Sequence, residues 1–110
     1  LDNIETAFNE VNRVLKTGGC FIIGFVDKLS PLGEVYQRHK TENVFYSIAN
    51  FYSVDEVVSY LKKTGFKDFT FVQTIFHNLA ELKEIEPTKE GYGQGSFVVI
   101  KATKKGNFNV

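Results

Sequence analysis

The sequence predicts an α/β fold in which helices cover a mostly parallel sheet. Two observations carry that expectation. Apolar residues Ile4, Ala7, Phe8, Val11, Val14 and Leu15 recur at three- and four-residue steps, which is the period of one helix face. Directly after them, Cys20-Phe21-Ile22-Ile23-Gly24-Phe25-Val26 runs without polar alternation, as a strand covered on both faces does. Leu15-Lys16-Thr17-Gly18 and Lys62-Lys63-Thr64-Gly65 each close a helix just before a strand, a recurrence of common loop chemistry and not a sign of duplication.

The elements follow in order. The first helix is expected over about 3 to 16, with Asp2 as its cap, Glu5 in capping-box register and Gly18 supplying the left-handed turn that ends it. A central strand over 20 to 26 comes next. Ser30-Pro31 places an N-cap before a proline at the first helical position, and Leu32, Val35, Tyr36 and His39 then share one side of a helix near 31 to 40. The stretch 43 to 52 carries Phe45, Tyr46, Phe51 and Tyr52 with a mixed period that favours neither helix nor strand. Ser53-Val54-Asp55-Glu56 is a second capping box, its helix bearing the stripe Val54, Val57, Val58 and Leu61 and stopping at Gly65. A strand with one less protected face is expected over 66 to 74, where Phe69, Phe71 and Ile75 fall at two-residue steps. A short helix over 78 to 87 and a tight loop, Gly91-Tyr92-Gly93-Gln94-Gly95, lead to a third strand over 96 to 103. Residues 1 to 104 thus read as one domain portion, and 105 to 110 as a polar tail.

Composition bounds the function. With 110 residues, 43% of them hydrophobic, one core is expected, burying about two thirds of the unfolded surface. The 13 basic and 13 acidic residues balance, so no basic excess drives binding to nucleic acid. Cys20 is the only cysteine and cannot form an internal disulfide, which fits a reducing cytoplasm. No apolar run reaches the length that crosses a bilayer and no signal-peptide pattern opens the chain, so a cytoplasmic protein without a membrane partner is expected. The chain opens at Leu1, contains no Met and starts on a helix without a preceding strand, which points to a piece of a longer protein.

In open α/β sheets ligands sit beyond the carboxyl ends of the strands, so the residues after Val26 are the first candidates for binding. Asp27 stands there, as a residue that orients a substrate or acts as a base, or as a turn former or helix-capping aid. Tyr36 and His39 share a helix face that either lines an acceptor pocket, with His39 as a candidate base, or packs on the sheet. Tyr46, Phe51 and Tyr52 supply either an aromatic wall or ordinary core. Cys20 and His77 have no further ligand at metal spacing, so no metal site is expected. No nucleophile stands beside a base, and the catalytic residues stay unassigned.

Arg13-Val14-Leu15-Lys16-Thr17-Gly18-Gly19 followed by Phe21-Ile22-Ile23 resembles the segment between the fourth helix and fifth strand of class I S-adenosylmethionine-dependent methyltransferases, with Thr17 in place of the usual proline. Val54 to Leu61 with Gly65-Phe66 resembles the family's late helix and sixth strand, and Gly95 to Ile100 its reversed seventh strand. Phe45-Tyr46, Ala49, Phe51 and the glycine loop look most like the small-molecule subgroup known as type 11. The resemblance spans Ile4 to Lys104. It implies the C-terminal half of a Rossmann-like methyltransferase sheet, three strands with the last antiparallel and central, flanked by helices.

It further implies a methyl donor, S-adenosylmethionine, held by a part that has no counterpart here, and a small-molecule acceptor near Asp27, Tyr36, His39 and Tyr46. The glycine loop leads into a strand and not a helix N-terminus, so this chain is expected to bind no cofactor and, isolated, to be inactive. The alternative is a noncatalytic interaction domain that pairs through the exposed edge of strand 20 to 26, giving a homodimer. Binding of single-stranded RNA through the aromatics lacks both a basic groove and an RNP-type motif.

Overall fold

A computed structural model describes residues 3–38, 51–76 and 86–106. Helix α1 spans Ile4–Val14 and strand β1 Cys20–Val26. Helix α2 spans Pro31–Arg38, helix α3 Val54–Lys63 and strand β2 Phe66–Thr74. A two-residue strand β3, Lys89–Glu90, precedes β4, Phe97–Lys104.

The described sheet has the order β1-β4-β2-β3. β4 lies between β1 and β2 and runs antiparallel to both, Ile23 and Phe71 both facing Ile100 across it. The reversed, central last strand is therefore as expected, and the edge strand β2 gains only the short β3 at Val72 and Gln73. The expectation of a mostly parallel sheet is corrected. β1 and β2 point the same way but do not touch, and every pairing between named strands is antiparallel.

Alternation along these strands sorts the side chains onto two faces. Val98, Ile100 and Ala102 of β4 point to the face that α1 and α3 cover, where they meet Ile4, Phe8, Val54, Val57, Leu61 and Phe66. Phe21 is wedged between Phe8 and Phe66, with ring centroids 5.4 and 5.6 Å away. Each of these rings removes a large apolar area from water, which makes this cluster the main source of stability.

The opposite face differs from expectation. Cys20 and Gly24 are exposed and Ile22 is 64% exposed, so β1 is covered on one face only. The cause is placement: among the described residues the helices that join the core both lie on the other side of the sheet.

The helix ends also carry a correction. Asn3, not Asp2, caps α1, its Oδ1 accepting the Thr6 N–H at 3.0 Å. The helix stops at Val14, and Gly18 shapes the turn into β1 instead of closing the helix. The free carbonyls at the end of α1 are met from afar, Lys104 Nζ donating to Asn12 O at 2.6 Å and Leu15 O at 2.7 Å. A cation at a helix C-terminus is also favoured by the helix dipole.

α3 follows the sequence closely. Ser53 Oγ accepts the Glu56 N–H and the Glu56 carboxylate accepts the Ser53 N–H, the full capping box. Gly65 ends it at φ +94, a conformation that a Cβ makes costly. Asp68, at φ 55, marks the bulge where the β2 and β4 registers shift. Lys105 N–H donates to Gly65 O at 2.9 Å, one residue past β4. The expected helix over 78 to 87 falls largely outside the described residues.

Candidate functional site

The chain past Val26 turns sharply. Asp27 N–H donates to Ser96 O, its own carbonyl accepts from Ser30 N and Oγ, and its Oδ1 accepts the Leu29 N–H at 3.0 Å. This is the turn chemistry expected of an aspartate at a strand end. Ser30 Oγ then accepts the Gly33 N–H at 3.0 Å and so caps α2. Lys28 N–H reaches Tyr52 O, which brings the segment before α3 alongside.

Three remote segments thereby meet at the carboxyl end of β1. They enclose a cavity of about 250 Å³ whose walls include Asp27, Ser30, Ser53, Asp55, Tyr92 and Gln94. The N-termini of α2 and α3 both open onto it, and the glycine loop forms its third side.

That loop is held by a residue the sequence reading passed over. Gln73 is 2% exposed, and its Oε1 accepts the N–H groups of Gln94 at 2.9 Å and Gly95 at 2.7 Å while its Nε2 donates to Glu90 O at 3.1 Å. A buried glutamine must find such partners, and a polar residue on an inward position of a strand was the signal for it. Gly95 sits against Thr74, whose carbonyl lies 2.5 Å from where a Cβ would be. The Tyr92 ring meets that of Phe71 at a tilt of 52°, with centroids 4.9 Å apart.

The glycine loop does not suit the role of a phosphate or carboxylate cradle. Gly91, Gln94, Gly95 and Ser96 already spend their N–H groups on Phe71 O, Gln73 Oε1 and Ile75 O. The loop then enters β4 and not a helix, so it lacks the helix N-terminus of a nucleotide-binding turn.

Of the residues singled out from the sequence, the structure brings Asp27 to the cavity. It is 6% exposed, and beyond the bond at Oδ1 no described residue donates to its Oδ2. Tyr36 is half-buried on α2 and is not part of the cavity wall. His39 and Tyr46 lie outside the described residues, as do His77, Phe45 and Ala49. Tyr52 joins the core, its ring edge-on to Tyr60 at 6.4 Å, and burial raises its hydroxyl pKa above the ordinary value, with Tyr60 and Glu56 adding to the effect. Core packing, the plainer of the two readings, is what the structure shows for that aromatic. Sequence reasoning missed Ser53, Asp55, Tyr92 and Gln94 as cavity residues, because nothing local says that an N-cap and a glycine loop will face each other.

Electrostatics around the cavity are set by carboxylates. Glu56 is held below the ordinary glutamate range, first by the backbone N–H of Ser53, and further by the Ser53 hydroxyl and Lys28, against some opposing desolvation. Lys28 Nζ stands 3.8 Å from Glu56. Among the described residues no group of three or more His, Cys, Asp or Glu could hold a metal ion. No described helix is long and apolar enough to cross a membrane.

Comparison with known proteins places this geometry. No protein-family model matches the chain. An uncharacterized protein of Methanocaldococcus jannaschii is 45% identical over 103 residues, 94% of this chain and 50% of that protein. The crystal structure of a SAM-dependent methyltransferase of Thermotoga maritima, named a possible histamine N-methyltransferase, superposes with a TM-score of 0.91 at 50% identity. That match covers 96% of this chain and 51% of the other. The chain thus spans about half the length of both relatives, and its α/β fold is that of half of a methyltransferase's Rossmann-like domain.

Proposed function

We propose that the chain is the acceptor-side half of an S-adenosylmethionine-dependent methyltransferase acting on a small molecule. The superposition on half of a methyltransferase, at 50% identity over 96% of the chain, is the observation that carries the reading. In such an enzyme the cofactor supplies an electrophilic methyl group, and alignment of the acceptor supplies much of the acceleration. The work of this chain is then to hold the acceptor. Asp27 and the cavity past β1 lie where ligands sit in open α/β sheets, at the carboxyl end of a strand.

On this reading the cofactor is gripped by residues outside the chain, the 110 residues alone are inactive, and Tyr36, His39 and Tyr46 complete the acceptor side. The type 11 subgroup and a cytoplasmic location belong to the same proposal. Calorimetric titration of S-adenosylhomocysteine into the full-length protein and into the 110-residue chain tests it. Saturable binding is expected for the first and none for the second; absence of binding by the full-length protein overturns the reading.

A second reading rests on one observation. β1 is the outer strand of the described sheet, paired on one side only, and its Ile22 is 64% exposed. An open apolar edge of that kind pairs with another strand, here as a homodimer of noncatalytic chains. Sedimentation velocity across a hundredfold concentration range separates the readings, since a strictly monomeric chain rules out edge pairing.

A further inference from the structure

The face of the sheet turned away from α1 and α3 is apolar over three strands. Paired residues of antiparallel strands share a face, so Ile22 and Gly24 of β1, Phe97 and Val99 of β4 and Val72 of β2 stand together there. Ile22 is 64% and Val72 38% exposed. Gly24 keeps the surface level, because a Cβ at that position would stand 2.9 Å from Phe97 Cζ and the ring lies where a side chain would rise. Lys101, in register with Ile22 and Thr70, is the charge among these residues, and no described residue makes an ion pair with it.

A contiguous apolar patch of this kind marks a contact surface. Two observations say what makes the contact. The seven-residue run of β1 sends apolar side chains to both faces, as strands do when helices lie on either side of their sheet. Both relatives are about twice as long as the chain, so about half of each lies outside the match. A second copy suits the face less well. A two-fold contact sets a surface against itself, and here it would draw the Lys101 of one copy towards the Lys101 of the other.

We propose that a helix from the half of the protein outside this chain lies across the open face, with its apolar side on Ile22, Val99 and Val72. The aliphatic stem of Lys101 then runs along the covered surface while its ammonium reaches water. The proposal rests on the reading of the chain as half of a longer enzyme, but it needs neither methyl donor nor acceptor.

Cys20 is exposed on the same face, two residues before Ile22, and so reports on the cover. Labelling with N-ethylmaleimide, followed on the Cys20 peptide by mass spectrometry, compares the full-length protein with the 110-residue chain. The full-length protein is expected to react at least about tenfold more slowly, since the helix must lift before the thiol is reached. That protection is expected to persist over a hundredfold dilution. Equal rates overturn the proposal, as does protection that fades on dilution, which marks a second copy.

Hydroxyl-radical footprinting of the same two unaltered proteins extends the measurement to Val72 on β2, with β4 between it and the β1 edge. Oxidation of Val72 is expected to fall in the full-length protein, and that of Val14, 66% exposed at the end of α1, to stay as it is. Protection of Cys20 without protection of Val72 reduces the cover to a strand paired along β1 and overturns the helix. An equal fall at Val14 overturns it too, as a sign of general closure. The two readings fail separately: a protected Cys20 in a full-length protein that binds no S-adenosylhomocysteine removes the methyltransferase reading alone, and an open Cys20 in one that binds it removes the helix alone.

Discussion

The buried amide oxygen of Gln73 accepts the Gly95 N–H at 2.7 Å, so a side chain in strand β2 holds the loop that walls the cavity past β1. The same oxygen takes the Gln94 N–H, and no other described acceptor stands in for it. Gln73→Leu keeps the bulk but strands both donors. A loss of about 2–3 kcal/mol in urea unfolding is expected, in line with unsatisfied buried groups; a change under about 0.5 kcal/mol would show that water meets them instead.

Gly95→Ala attacks the same junction from the backbone. Its Cβ would lie 2.5 Å from Thr74 O and 2.9 Å from Thr74 N, and neither is the end of a flexible side chain. The loop must move, at a cost of about 2 kcal/mol or more, within the range for overpacking. Nitrogen-15 spectra should show the Gln94 amide displaced together with its neighbours; a spectrum altered only at residue 95 would count against the close approach.

Ser53→Ala removes the hydroxyl that receives the Glu56 N–H. About 1 kcal/mol of stability should be lost, the usual worth of an N-cap, and Ser53→Asp should restore most of it. Equal melting temperatures for all three proteins would mean that packing alone holds the start of α3.

Glu56 makes the second half of that box, and its depressed pKa fixes the sign of a pH effect. A carboxylate whose folded pKa lies below the unfolded value adds stability that is present above the unfolded pKa and fades as pH falls through the folded one. Glu56→Gln is therefore expected to cost stability at neutral pH, and to converge on the parent protein below the ordinary glutamate range. The side chain is 47% exposed, so the effect is modest and weakened by salt. Urea midpoints at neutral and strongly acid pH check it, and a difference that grows on acidification would contradict the assignment.

Lys104→Met keeps the aliphatic stem and removes the donors to Asn12 O and Leu15 O. About 1–2 kcal/mol should be lost, as for hydrogen bonds made by a charged group. Hydrogen exchange is expected to quicken in the last turn of α1 and not in α3; uniform quickening would indicate general destabilisation instead.

How far the sequence can be read follows from these same residues. β1 starts and stops where its apolar run does, and α3 begins at the serine whose box is complete within four residues, because both signals are local. The end of α1 was misplaced because Lys104, 89 residues beyond Leu15, supplies the cap. The cover of β1 was misjudged because a continuous apolar run says that two faces suit burial, not that both have a neighbour in the described chain. Asp27 could be singled out by its place after a strand. The cavity around it could not, since its walls come from three segments and are braced by Gln73, whose partners lie 17 to 22 residues away.

The position of β4 between β1 and β2 has a consequence for synthesis. Neither of the two earlier strands has its main partner until residues 97 to 104 have been made, and α1 is not clamped before Lys104. As the nascent chain leaves the ribosome, two adhesive ribbons must therefore wait side by side for a third to slide between them. Such late, long-range closure slows folding and lengthens the time for which both strand edges stay open to mispairing.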